Sequence, residues 1–197
     1  MRIIRTRAAI VGACLALTLA ACGDAGSDDE GRDVGADKDA ASSLKDGTRM
    51  KEIADSGKIK VGVKFDQPGL GFKDAASDSP TGFDVEVAKI LVSKLGLDPK
   101  ADVEWVETVS DNREPFLESG KVDLVLASYS ITDERRQIVG QTGPYMVTGQ
   151  QVLVKSDSDV AGIADLKGKE VCSVTGSTSI DKINEEGAKG VGFDSYS

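Results

Sequence analysis

Beyond Ser43 the apolar residues of this chain follow two rhythms. Lys58 to Lys64 (KIKVGVK) alternates with a period of two, the pattern of a strand, and Asp66-Gln67-Pro68-Gly69 breaks it. Gly82 to Gly96 changes to helical spacing: Phe83, Val87, Ile90, Leu91 and Leu95 recur where one helix face would carry them into a core. Asp84 and Glu86 in the first turn and Lys94 in the last suit the helix dipole, and Gly96 is a natural terminator. Met50 to Ser56, ended by Gly57, reads as a short helix. Asp102 to Thr108 reads as a second strand, Asn112 to Ser119 as a helix and Val122 to Ala127 as a buried strand. Strands alternating with helices predict βαβ units and a largely parallel sheet. Gln151 to Lys155 is a further strand, and Ile163–Leu166, Glu170–Val174, Ser177–Glu186 and Gly190–Tyr196 begin a second α/β set. The fold class is α/β, with a crossover between the two sets near Thr148 to Gln151.

The first 43 residues break both rhythms. Arg2, Arg5 and Arg7 precede an uncharged, mostly apolar stretch from Ala8 to Ala21, shorter than the roughly 20 residues a membrane-spanning helix needs. A basic start and a short apolar run are the pattern of a secretory signal. Its end, Leu19-Ala20-Ala21-Cys22-Gly23, resembles a bacterial lipobox, which implies lipidation of Cys22 (diacylation of its thiol), cleavage before it, and a lipid anchor on the extracellular face of the plasma membrane. A plain signal peptide with an incidental cysteine is the alternative. Residues 22–43 hold many Asp, Gly, Ala and Ser and almost no large apolar residue, which predicts a flexible, acidic tether.

Charge and composition narrow the classes of partner. The formal net charge is -9, and loss of the signal removes three arginines and no acid, giving -12. Bulk charge therefore argues against nucleic acid, though not against an anionic ligand in a small pocket of opposite sign. The chain has no His, which excludes His triads, His zinc sites and imidazole bases, and no cofactor or metal is called for. With Cys14 in the signal and Cys22 at the lipobox, Cys172 is left over, and its place in a strand suggests a core thiol.

Candidate binding chemistry lies at the strand ends. Ala127-Ser128-Tyr129-Ser130-Ile131-Thr132-Asp133-Glu134-Arg135-Arg136 follows the buried strand, where open α/β sheets bind ligands. Hydroxyls ahead of an arginine join neutral partners to a planar cation able to grip a carboxylate bidentately. The same pattern is also that of a helix N-cap followed by surface charge. Val174-Thr175-Gly176-Ser177-Thr178 repeats the theme between a strand and a helix, where donors gather for an anion or a Ser/Thr merely caps. Lys64 ends the first strand and Arg113 opens a helix beside Ser110; a solvated lysine and a capping arginine are the plain alternatives.

Gly-Phe-Asp-Val-Glu-Val at 82–87, Thr132-x-x-Arg135 and the turn Gly143-Pro144-Tyr145 together resemble the family 3 extracellular solute-binding proteins, the amino-acid receptors of ABC importers. The segments Lys64–Gly71, Ala127–Ile131 and Cys172–Thr178 are most similar to the glutamate-binding lipoproteins of Gram-positive bacteria. The resemblance runs from about Ile59 to the end of the chain. It implies a two-lobed periplasmic-binding-protein-like II fold, with lobe 1 over residues 44–148 and the start of lobe 2 over 149–197. Because family members are longer, it implies that lobe 2 is incomplete here; a small single-domain protein is the alternative. It assigns the α-carboxylate of the ligand to Arg135, Ser177 and Thr178, contacts to the amino acid to Ser128 and Ser130, and the second carboxylate to Lys64 and Arg113 beside Ser110. Arg136 is read as surface. It implies a disulfide from Cys172 to a cysteine beyond Ser197, and an acid for the ligand ammonium late in lobe 2. Residues 23–197 alone should then bind weakly, and tight binding by them would overturn the incomplete-lobe reading.

The implied protein is a monomeric receptor that captures an amino acid, glutamate first, by closing two lobes and delivers it to the permease subunits of an ABC importer. A dehydratase on the same fold is the alternative, with Asp66 and Asp84 as its least implausible acids. A sensing lobe of a surface receptor is a third reading, without a spanning helix to carry its signal.

Overall fold

A computed structural model of the chain describes residues 34–197. The signal, Cys22 and the first part of the tether lie outside the described residues. Three parallel strands form the central sheet, in the order β4 (Val103–Glu107), β1 (Ile59–Val63), β5 (Leu124–Leu126). β1 is the middle strand, and Ile59, Val61 and Val63 are buried because it has neighbours on both edges and a helix against one face. A tight hairpin of β2 (Asp66–Gln67) and β3 (Gly71–Phe72) follows, turning at the Pro68-Gly69 break.

Helix α2 (Arg49–Ser56) starts where the Thr48 hydroxyl accepts the Lys51 N–H at 3.3 Å and ends at Gly57, in the left-handed conformation. Helix α3 (Phe83–Lys94) is the predicted long helix. It enters through Gly82 at φ 118°, where a Cβ would lie 2.4 Å from the Leu70 carbonyl oxygen, so glycine is required. Its buried face is only partly the predicted one, with Val87 and Leu95 packed half-buried against the core. Val85, Ala88 and Val92 pack into the core with Ile53, Ile59, Val61, Val63, Leu97 and Leu126, while Phe83, Ile90 and Leu91 are 43, 42 and 42% exposed. The helix is apolar on two stripes, roughly a third of a turn apart, so periodicity alone does not choose between them. The smaller residues win because they let the helix lie close on the sheet. Asp84 joins that buried face because its carboxylate is fully engaged, as described below.

Three further expectations need correction. The tether does not run free to residue 43: α1 (Lys38–Ser42) docks on the end of α3. Asp37 caps α1 through the Ala40 N–H and accepts from Lys94 Nζ at 2.7 Å, Lys38 Nζ donates to the Gly96 carbonyl at 2.8 Å, and Ser93 Oγ donates to the Gly35 carbonyl. Gln151–Lys155 forms no ladder, and Leu153 is 98% exposed; alternation supplies a strand's pattern but not its partner. Cys172 is an exposed free thiol rather than a core one, because its two-stranded sheet leaves that position uncovered.

The remaining elements follow expectation. A 3-10 turn at Ser110–Asn112 leads into α4 (Arg113–Glu118), and α5 (Asp133–Arg136) follows β5. After the turn Ile163–Leu166, β6 (Glu170–Val174) and β7 (Lys189–Phe193) pair in parallel with α6 (Thr178–Glu185) between them, around the buried Leu166, Val174 and Ala188. Among the described residues no helix is long and apolar enough to cross a membrane.

Candidate functional site

Parallel strands all point their carboxyl ends one way, so the residues just beyond them converge. Lys64 follows β1, Ser110 and Arg113 lie beyond β4, and Ser128, Ser130 and Arg135 lie beyond β5. Ser177 and Thr178 lie beyond β6 in the second lobe. All eight line one cavity of about 150 Å³, together with Gln67, Gln150, Ser179 and Tyr196.

Three cations enter this cavity, each in a different state. Lys64 is 1% exposed, and its ammonium donates to Ser110 Oγ at 2.9 Å and lies 5.6 Å from the centre of the Tyr196 ring. Among the described residues no carboxylate lies within ion-pair distance of it. Burial pushes its pKa below the ordinary lysine value, with the Asp66 charge opposing. Arg113, 2% exposed, is anchored by backbone carbonyls: Nε donates to Ser110 O at 3.0 Å, Nη1 to Ala127 O at 3.2 Å and Ser128 O at 3.4 Å, and Nη2 to Gly176 O at 2.9 Å. Burial and then the neighbouring Arg135 charge push it down to about 10. Arg135 donates from Nη1 to Ser130 O at 3.0 Å and from Nη2 to the same Gly176 O at 2.9 Å. The Gly176 carbonyl thus stands where a ligand's carboxylate oxygen could be gripped by both arginines.

Thr132-x-x-Arg135 forms the helix cap, and its arginine also reaches the cavity. The Thr132 hydroxyl caps α5 by accepting the Arg135 N–H at 3.3 Å, and that short helix aims the Arg135 side chain back to the cavity while Arg136 is exposed. Ser177, by contrast, makes no side-chain cap; its hydroxyl lies 3.3 Å from Ser173 Oγ.

Asp84 fixes the loop that carries the hydroxyls. Its carboxylate, 1% exposed, accepts the Ser128 N–H at 3.0 Å and the Tyr145 hydroxyl at 2.9 Å. Burial and that carboxylate raise the Tyr145 pKa. Ser128 adopts φ 48°, rare for serine, with its hydroxyl donating to Gln67 Oε1 at 2.6 Å. Asp66 accepts the Tyr196 N–H at 2.7 Å through Oδ2. The two lobes also meet through Ser130 Oγ and Thr178 Oγ1 at 3.1 Å, and Gln150 Nε2 donates to the same Thr178 oxygen at 3.1 Å.

Sequence reasoning missed four of the lining residues. Gln67 was read only as part of a strand break and Gln150 only as crossover. Tyr196 stands at the end of the segment Gly190–Tyr196, with no local motif to mark it as a lining residue. Ser179 sits one residue past the assigned hydroxyls. Among the described residues no group of three or more His, Cys, Asp or Glu gathers to hold a metal. Among the described residues no acid lines the cavity.

Residues 59–189 match the model of the bacterial extracellular solute-binding proteins, family 3. The chain belongs to this family. It is 37% identical over 98% of its length to the glutamate-binding protein GluB of Corynebacterium efficiens, covering 62% of that protein. It is 35% identical over 90% of its length to the ABC transporter glutamine-binding protein GlnH of Bacillus subtilis, again covering 62%. The chain thus spans about three fifths of the length of these curated relatives. Among solved structures of the fold, the receptor for L-cysteine of Neisseria gonorrhoeae superposes with a TM-score of 0.68 at 34% identity, over 75% of this chain and 60% of that one. The ancestral amino acid-binding protein AncCDT-1, described as a precursor of cyclohexadienyl dehydratase, gives 0.68 at 35%, over 75% and 66%. The α/β architecture read from the sequence is that of these family members.

Proposed function

We propose that this chain is the ligand-binding part of an extracellular receptor, lipid-anchored through Cys22, that captures glutamate and passes it as a monomer to an ABC importer. The observation that carries the ligand class is the charge of the cavity: Lys64, Arg113 and Arg135 line it with eight neutral hydroxyl or amide side chains and Tyr196. Such a lining favours a ligand of net negative charge, and among amino acids that means two carboxylates to one ammonium. Lys64 decides between acid and amide. A ligand carboxylate would give its buried ammonium a counter-charge within ion-pair distance, which a carboxamide would not. Arg135 and the Ser177–Thr178 loop take the α-carboxylate in this reading, and the lobes close over it. The names of the glutamate and glutamine relatives support the amino-acid class.

A dehydratase-type reading has the AncCDT-1 likeness in its favour. It needs an acid or base in the cavity; Asp84 is engaged with Ser128 and Tyr145, and neither it nor Asp66, which accepts from Tyr196 through one oxygen, is a lining residue. Calorimetric titration with L-glutamate, L-glutamine and L-aspartate separates the readings. Saturable heat with glutamate preferred is the expected result. Binding of glutamine with none of glutamate would remove the role given to Lys64, and turnover of a prephenate-like compound would favour the enzyme.

A further inference from the structure

Two guanidiniums share one aromatic ring in this site. The Arg113 and Arg135 guanidinium carbons lie 4.6 and 4.5 Å from the centre of Tyr129, within cation–π distance, and both groups donate to the single Gly176 carbonyl. Like charges held this close repel each other, more strongly away from water than in it. Something must oppose that repulsion and fix the pair's orientation. Glu114, the residue after Arg113 in α4, supplies the opposing charge: its Oε1 accepts the Tyr129 hydroxyl at 2.6 Å and lies 3.4 Å from Arg135 Nε. Neither Tyr129 nor Glu114 is among the residues that line the cavity.

We infer that Tyr129 and Glu114 are positioning residues that hold Arg113 and Arg135 as one two-armed anion clamp. The ring spaces and orients both guanidiniums, and Glu114 locks the ring's hydroxyl and the Arg135 Nε–H, so the terminal nitrogens of both arginines face one acceptor. The clamp's geometry stands on these contacts alone. Only the identity of its anion, a ligand carboxylate, rests on the function proposed above.

The test reads the arginines themselves. The Nε–H signals of Arg113 and Arg135 in the NMR spectrum of the full chain are assigned with Arg113→Lys and Arg135→Lys. Tyr129→Leu should shift both signals and speed their exchange with water, whereas Tyr129→Phe and Glu114→Gln should displace chiefly Arg135 and leave Arg113 near its place. A tyrosine that merely fills space would be replaced by phenylalanine without effect on either signal. Unmoved Arg135 signals in both Tyr129→Phe and Glu114→Gln would overturn the inference, and those two variants decide it even if Tyr129→Leu fails to fold. In a binding arm, Glu114→Gln should lower the preference for L-glutamate over its α-amide by about tenfold, the loss of roughly one charge-assisted bond. If the parent chain bound neither compound, the proposed ligand would fail while the Nε–H result stood.

Discussion

Lys64 and Arg113 are both buried cations, and they meet that condition in opposite ways. Arg113 spends its donors on four backbone carbonyls, one of them the Gly176 carbonyl it shares with Arg135. Lys64 has one neutral partner, Ser110, and two further N–H donors. The difference predicts that Lys64→Met raises the thermal stability of the unliganded chain while Arg113→Met lowers it, measured by melting the two variants beside the parent. The pH dependence follows from the lowered Lys64 value. A lysine depressed in the folded state loses its proton before the unfolded one does, so stability rises as pH climbs through that value toward 10.5, and the penalty is fully present below it. Glutamate affinity should move the other way and fall over the same alkaline range, because the neutral amine no longer attracts a carboxylate. Arg113, at about 10, adds in the same sense. Arg135→Ala should cost at least about a hundredfold in affinity by calorimetry, the loss of two charge-assisted bonds.

At the scale of elements, the strands were more legible than the long helix. KIKVGVK carries a strand's alternation and sits centrally with no competing pattern, and its carboxyl end delivers Lys64 where the sequence put it. Helix α3 carries two apolar stripes, so its limits could be read but not its inward face; what selects Val85, Ala88 and Val92 is the close approach of the sheet, a long-range fact. The consequence is measurable by chemical denaturation. Ile59→Ala should cost about 2–5 kcal/mol, whereas Leu91→Ser, on the face first expected to be buried, should stay within about 0.5 kcal/mol. Gln151–Lys155 shows the limit of alternation, which marks a segment able to pair but cannot provide the neighbour.

In the whole molecule, the second lobe is closed on the first through the Gly176 loop, Thr178 and Tyr196. Gly176 has φ 73°, and a Cβ there would lie 2.0 Å from Asp111 Oδ1 and 3.1 Å from its Cα. Gly176→Ala is therefore expected to hold the lobes apart, seen as a larger radius of gyration in solution scattering than the parent shows. All eight residues singled out in the sequence reach one cavity because they follow the carboxyl ends of β1, β4, β5 and β6, a regularity local motifs can report. Tyr196 comes to it by chain folding across many residues, shown by its N–H on Asp66, which no local motif reports. The central claim, that a buried and unpaired Lys64 makes the site select an acid over its amide, is tested most directly by the ratio of L-glutamate to L-glutamine affinity in the parent and in Lys64→Met. A ratio well above one in the parent that falls by at least about tenfold in the variant is the predicted result. An equal ratio in both would contradict it.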